Sequence, residues 1–155
     1  MQPTCLHLAK HLRDFHVGGN WTVSNLKDQL EVVDLPMALK KHDDFNTIAT
    51  LSFHIHYFVV AAIGVLEGKG LNAHDKYSFE HPEFKTEMEW QDYKQTIIKD
   101  GLHLADLIET LSDETLFTYF EEEKYGTYFR NLAGTIEHGH YHLGQIAFLK
   151  KLLAK

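Results

Sequence analysis

The sequence predicts an all-α protein built as a four-helix bundle, and three observations support this fold class. Four long segments carry apolar residues at the spacings of three, four and seven that one face of a helix requires. One long connection separates the second segment from the third, as a crossover in a bundle does. No stretch shows the two-residue alternation of a half-buried strand. With 155 residues, the chain suits a single domain over residues 1–155.

The first helix is predicted to begin at Pro3 or Thr4, because proline is tolerated in the first turn of a helix. It is predicted to end before Gly18 and Gly19, which together break a helical pattern. Trp21 follows this break, and we expect its large apolar ring to close one end of the core.

A short helix is predicted over Ser24 to Val33, and Pro36 is expected to end it. The second long helix follows, with Asp44 as its expected N-cap and Asn46 as the alternative. This helix carries a broad apolar stripe and is predicted to stop at Gly68, where glycine supplies the conformation of a helix C-terminus.

Leu71 to Lys85 is rich in turn-forming residues and predicts a long connection, whose length suggests that it covers something. The third long helix is predicted over Glu87 to Leu111. The chain restarts at Ser112 with a short helical turn. Most of Tyr125 to Lys155 is predicted to form the last long helix, with lysines up to Lys155 favoured by the negative end of the helix dipole.

The last helix contains three histidines, and their spacing separates them into two groups. His138 and His142 are four residues apart, so they share one face with Cβ atoms roughly 5–6 Å apart. His140 lies about 200° around the helix from this pair. His138 and His142 can therefore reach one metal ion together, and His140 cannot join them. Such a pair is a weak signal until another helix adds a third ligand.

The second long helix carries two further histidines, which project in different directions. His54 lies at the edge of the apolar stripe, with Leu51 before it and Phe58 after it at helical spacing. His56 projects about 200° away from His54 and does not face the same site. From periodicity alone, His54 is the better placed of the two.

Two stretches resemble the DinB-like superfamily of metalloenzymes, also called DinB/YfiT-like. Asn46 to Ile55 resembles the second helix of that family with its single metal histidine, and His138 to Ile146 resembles the family's last-helix histidine motif. This resemblance implies an up-down-down-up four-helix bundle. It also implies that His54, His138 and His142 bind one divalent ion in a pocket at one end of the bundle, with His56 as the alternative to His54.

The resemblance further implies a metal-dependent enzyme of the hydrolase or thiol-dependent transferase type. Three histidines leave a coordination position open for water or substrate. A divalent ion lowers the pKa of a water or thiol that binds it at this open position. The expected cofactor is zinc, nickel or iron, because imidazole suits all three metals. The thiol-dependent transferase type adds a low-molecular-weight thiol. A small-molecule substrate and a homodimer are also expected, and no residue stands out as a general base.

Helical spacing places further residues around the expected site. Gly134 leaves space beside His138, and Gln145 is expected to hydrogen-bond a ligand histidine. Arg130 is expected to meet an anionic group of the substrate. The remaining expected neighbours are Tyr57, Phe58 and Asn131.

Composition excludes several other functions. A net charge of −7 argues against a nucleic-acid surface. The single cysteine, Cys5, permits no internal disulfide and is compatible with a cytoplasmic location. No run approaches 18 uninterrupted apolar residues, so no membrane segment is expected.

A di-iron carboxylate site needs two Glu-x-x-His motifs, and only Glu137 and His140 form one. The open alternative is a helical bundle that binds a small ligand or serves in a stress response without catalysis.

Overall fold

The computed structural model describes residues 2–154, so Lys155, expected in the last turn, lies outside the described residues. Within this range the chain is helical without an extended strand, which confirms the all-α class. Short 3₁₀ turns occur at Asp75–Tyr77 and Glu123–Tyr125. The α-helices are α1 (Thr4–Val17), α2 (Leu26–Glu31), α3 (Leu35–Leu39), α4 (Ile48–Leu66), α5 (Glu87–Glu109), α6 (Asp113–Leu116) and α7 (Tyr128–Leu153).

The four long helices enclose one apolar core. α1 packs against α5 and α7, and α4 packs against the same two helices, so the contacts form a closed ring. The apolar stripes predicted from the sequence face the centre of this ring. The largest side chains that are fully buried include Phe15, Ile55, Trp90, Ile108 and Leu132.

The N-cap of α4 is Thr47, so the expectation of Asp44 or Asn46 was wrong. The hydroxyl of Thr47 accepts a hydrogen bond from the backbone N–H of Thr50, 3.1 Å away. Threonine is a good N-cap because its side chain satisfies one of the free N–H groups of the first turn. Asp44 and Asn46 belong to the turn that leads into the helix.

Trp21 does not close the core, because its side chain is 97% exposed. Asn20 donates from Nδ2 to the carbonyl oxygens of Asp14 and Ser24, at 2.9 and 2.7 Å, and ties this loop into a turn outside the bundle. Trp90 on α5 is fully buried instead, and its Nε1 donates to the carbonyl oxygen of Val33 at 2.8 Å. The identity of the residue did not decide its burial, since both are tryptophans.

Two other helix boundaries differ from the prediction. The predicted helix over Ser24 to Val33 is shortened to α2, and Pro36 lies in the first turn of α3 instead of ending a helix. Proline fits there because the first turn has no intrahelical partner for its missing N–H. The last helix begins at Tyr128 with Thr127 as its N-cap, while Tyr125 lies in a 3₁₀ turn.

By length and composition alone, α4 could cross a membrane. In the structure it packs against α5 and α7, and 56% of its most apolar window is buried. The central helix of a bundle has the same composition, so α4 by itself is weak evidence for a membrane segment.

Candidate metal centre

Three histidines from two helices converge at one point of the bundle. His54 comes from α4, while His138 and His142 come from α7. One ring nitrogen of each histidine lies within 4.8 Å of the others. Among the histidine, cysteine and carboxylate residues of residues 2–154, this is the group whose ligand atoms are close enough to hold one metal ion. The Nε2 atoms of His54 and His138 are 2.9 Å apart. Helical spacing on α7 and the packing of α4 against α7 together produce the cluster.

The three rings differ in exposure. His54 and His142 are buried, while His138 is half-buried and forms the accessible side of the cluster. A ligand approaching from solvent therefore meets His138 first. The other two rings lie in the protein interior, where their orientation is fixed by packing.

The orientation of His54 is fixed by Ser78. The Nδ1–H of His54 donates to the hydroxyl oxygen of Ser78 at 2.9 Å. That hydroxyl donates its own proton to the carbonyl oxygen of Asp75 at 2.7 Å, so it accepts from His54. With its proton on Nδ1, neutral His54 carries a lone pair on Nε2, which points towards His138.

His142 has an equivalent anchor on its own helix. Its Nδ1 lies 2.7 Å from the side-chain oxygen of Gln145, which accepts the Nδ1 proton. This contact confirms the hydrogen bond expected from the position of Gln145, one turn after His142. A hydrogen bond at one ring nitrogen that leaves the other free is the usual arrangement of a metal-binding histidine.

The connection between α4 and α5 covers one side of the cluster. Phe79 stacks on His54 with ring centroids 3.9 Å apart. Phe58 packs edge-on against His54 and His138, at 5.2 and 5.1 Å. Helical spacing predicted Phe58 beside the cluster, whereas Ser78 and Phe79 were not predicted there. Their one sequence signal was the unusual length of the connection.

The environment keeps the rings of His54 and His138 neutral. Burial lowers the pKa of His54, and the nearby His142 lowers it further. Burial together with His142 and His54 lowers the pKa of His138 to about 4. A metal ion binds neutral imidazole, so these two rings lose no proton when they bind an ion near neutral pH.

His56 and His140 lie outside the cluster. The Nε2 of His56 is 2.8 Å from a carboxylate oxygen of Asp100, and its Nδ1 is 3.0 Å from the hydroxyl of Tyr93 on α5. His140 packs edge-on against Phe15 of α1, with ring centroids 5.0 Å apart. The structure brings together the histidines named by the resemblance and separates the alternative, His56, from them.

The expected neighbours divide in the same way. A cavity beside His138 is lined by Arg130, Asn131 and Gly134, as expected from their helical spacing. Nothing lies within 4 Å of the position that a Cβ atom on Gly134 would occupy, so this glycine leaves open space. Tyr57 instead accepts a hydrogen bond from the backbone N–H of His74 at 2.8 Å.

No protein-family model, no curated protein and no solved structure matches this chain. The resemblance to the DinB-like superfamily therefore stays a prediction. The positions and hydrogen bonds of the three histidines are what indicate a metal centre.

Proposed function

We propose that this protein is a metal-dependent enzyme in which His54, His138 and His142 hold one divalent ion. The observation that carries the proposal is the convergence of three imidazoles, two of them anchored through Nδ1 to Ser78 and Gln145. Those anchors leave a lone pair on the opposite ring nitrogen. The accessible side at His138 gives a substrate room to approach.

The spacing of one pair of ring nitrogens, from His54 and His138, fits a shared ion. Zinc–nitrogen bonds of about 2.0–2.1 Å place two ligand nitrogens about 2.8–3.4 Å apart for angles of about 90–109°. The Nε2 atoms of His54 and His138 are 2.9 Å apart, within this range. Nickel and iron bind imidazole as zinc does, so the ligand set alone allows all three metals.

We further infer that the bundle runs up-down-down-up, as in the DinB-like superfamily. Contacts whose residue numbers rise together indicate parallel helices, and opposed numbering indicates antiparallel helices. The numbering is opposed between α1 and α5 and between α4 and α7, and it rises together between α4 and α5. The supporting contacts are Arg13–Asp106, His16–Gly101, His56–Tyr93, Glu67–His103, His54–His142 and Phe58–His138.

The chain supplies a positioned and partly dry environment for chemistry at this site. His54, His138 and His142 would hold the ion in place, while Phe58 and Phe79 keep water from one side of the site. A divalent ion with an open position supplies a Lewis acid that lowers the pKa of a bound water or thiol. This supports hydrolysis or transfer to a thiol as the reaction type.

The proposal is tested by the metal content of the purified, untagged protein, measured by plasma mass spectrometry. The test variant is His54→Ala, His138→Ala, His142→Ala. The matched control changes three exposed histidines, His7→Ala, His11→Ala, His103→Ala. We expect one ion per chain in the wild type and the control, and none in the test variant. Equal metal content in all three proteins would contradict the site.

The alternative function is a bundle that binds a small ligand without catalysis. The cavity beside His138, of about 330 Å³, would suit this function as well. Metal-dependent turnover of ester and thiol substrates separates the two functions. A protein that fails to bind zinc, nickel or iron even after reconstitution would support the non-catalytic alternative.

A further inference from the structure

The cavity beside His138 carries two charged side chains that the metal site does not use. It lies along the outer face of α7 and has a volume of about 330 Å³, within the range of small-molecule pockets. The lining includes Phe58, Arg130, Asn131, Thr135, Glu137 and His138. His138 therefore belongs both to the histidine cluster and to the wall of this cavity.

Arg130 is the first of the two charges. The chain has two arginines, and the other, Arg13, is paired with Asp106 and Glu109. In the described part of the chain Arg130 has no carboxylate partner, and it donates from Nη1 to the carbonyl oxygen of Tyr125 at 3.0 Å. The remaining donors of its guanidinium are free for a planar anion, which arginine binds through two parallel hydrogen bonds.

The position of Arg130 is defined by the turn before α7. Gly126 has a φ of 77°, and a Cβ atom built on it would lie 2.9 Å from Cδ of Arg130. The absence of a side chain at Gly126 therefore lets Arg130 lie against the turn. Together with the hydrogen bond to Tyr125, this contact holds the guanidinium at the end of the cavity.

Glu137 is the second charge. It follows Arg130 by seven residues on α7, which places the two about 10 Å apart along the helix axis. No hydrogen bond or salt bridge engages its exposed carboxylate among residues 2–154. Glu137 directly precedes His138, so the acidic end of the cavity lies next to the histidine cluster.

The polar groups between these ends are partly satisfied. Asn131 donates from Nδ2 to the carbonyl oxygens of Tyr125 and Thr127, at 2.9 and 2.8 Å. Its side-chain oxygen remains available as an acceptor. The hydroxyl of Thr135 donates to the carbonyl oxygen of Asn131 at 2.9 Å. The middle of the cavity is therefore neutral, and the charges lie at its ends.

We propose that this cavity binds a small zwitterion, an amino acid-like molecule with its carboxylate on Arg130 and its ammonium group on Glu137. A carboxylate fits better than a phosphate, because a phosphate dianion would leave excess negative charge beside Glu137 in a protein of net charge −7. The ammonium end of the molecule lies beside His138. The delivery of this zwitterion to the ion rests on the proposed function, whereas the binding of the zwitterion to the cavity does not.

The test uses three probes of equal chain length: γ-aminobutyrate, butyrate and n-butylamine, titrated by saturation-transfer nuclear magnetic resonance. We expect γ-aminobutyrate to bind more tightly than either singly charged probe. Arg130→Gln should weaken γ-aminobutyrate and butyrate at least about tenfold and leave butylamine unchanged. Glu137→Gln should weaken γ-aminobutyrate and butylamine and leave butyrate unchanged, because each charge recognises one end of the probe.

Arg13→Gln is the matched control, since it removes the other arginine, which pairs with α5 and is not part of the cavity lining. It should leave the affinity for all three probes unchanged. Binding of γ-aminobutyrate that does not depend on Arg130, or no saturable binding of any probe at its solubility limit, would overturn the proposal. Tighter binding of n-butyl phosphate than of γ-aminobutyrate would overturn the assignment to a carboxylate.

The titrations are made on chelator-treated protein and on protein loaded with zinc, so that the two proposals can fail separately. Charge-selective binding without metal retention would contradict the metal centre and support the zwitterion cavity. Metal retention with probe affinities insensitive to Arg130 and Glu137 would support the metal centre and contradict the cavity. Charge-selective binding together with metal retention supports both proposals.

Discussion

His54 and His56 lie two residues apart on α4, and both are buried, with 4% and 8% of their surface exposed. His54 uses one ring nitrogen for Ser78 and directs the other towards His138. His56 uses both ring nitrogens for groups on α5, Asp100 and Tyr93. One histidine thus retains a free lone pair, and the other has none to offer.

This difference shows that burial by itself does not identify a metal-binding histidine. A buried imidazole with two protein partners is a structural hydrogen-bonding group that joins two helices. A buried imidazole with one anchor and one lone pair directed at other imidazoles has the arrangement of a ligand. On a helix, two residues of sequence separation place these two environments on opposite sides.

The largest expected effect is on zinc affinity, in a comparison of His54→Ala with His56→Ala. Structural zinc sites with four ligands have a zinc-binding free energy of about 10–16 kcal/mol, so losing one ligand costs roughly 2.5–4 kcal/mol, which is about 70- to 900-fold in affinity. We expect His54→Ala to lose zinc affinity by this factor in a competition titration with a chelator. His56→Ala should bind zinc as the wild type does.

His56→Ala should instead lower the free energy of unfolding by about 1–3 kcal/mol, because Asp100 and Tyr93 lose a buried partner. Denaturant unfolding of the metal-free proteins measures this loss. If His56→Ala lost metal while His54→Ala kept it, the roles of these two histidines would be reversed and the proposed ligand set would be wrong.

The next effect concerns pH and His16, whose buried ring lies against Gly101 on the α5 side of the bundle. Burial, with a smaller contribution from His56, lowers the pKa of His16 to about 4 in the folded protein. Its pKa in the unfolded chain is about 6.5, so between these values the unfolded chain binds a proton that the folded protein does not. Stability is therefore highest above pH ~6.5 and falls as the pH drops towards ~4, by a total of ~3 kcal/mol from this group.

The measurement is the free energy of unfolding of chelator-treated protein as a function of pH, for the wild type and His16→Gln. The glutamine side chain does not titrate and can donate to the carbonyl oxygen of Leu12 as His16 does. We expect the variant to lose stability less steeply on acidification over this range. Parallel pH profiles for the two proteins would show that His16 is not the responsible group.

The smallest expected effect tests the anchor of His54. Ser78→Ala removes the acceptor of the Nδ1 proton, and loss of such a partner typically costs about 10–100-fold in metal affinity. Ser52→Ala is the matched control, because Ser52 is also buried and donates only to the carbonyl oxygen of Ile48 on its own helix. Equal zinc affinity in the two variants would mean that the anchor does not tune the site.

Periodicity predicted much of the fold, because burial of an apolar helix face imposes a spacing that is visible in the sequence. The extents of α1 and α5 follow the prediction within two residues. The errors fell at Asp44, Trp21 and Pro36, where the outcome depends on a competing cap or on the path of a loop. Neither a helix cap nor the path of a loop leaves a periodic signal in the sequence.

The sequence by itself determined which residues share a helix face. It paired His138 with His142, separated His54 from His56 and placed Gln145 one turn after a histidine, since helix geometry converts spacing into direction. The resemblance to a known family, and not spacing, joined the two helices in the prediction.

Only the tertiary structure decided that α4 and α7 approach closely enough to bring three ring nitrogens within 4.8 Å of one another. It also placed Ser78 and Phe79 over His54 and left Arg130 without a carboxylate partner within the described residues. Contacts between residues distant in the chain depend on how helices and loops pack. That packing is set by the whole core at once, so no local pattern encodes it.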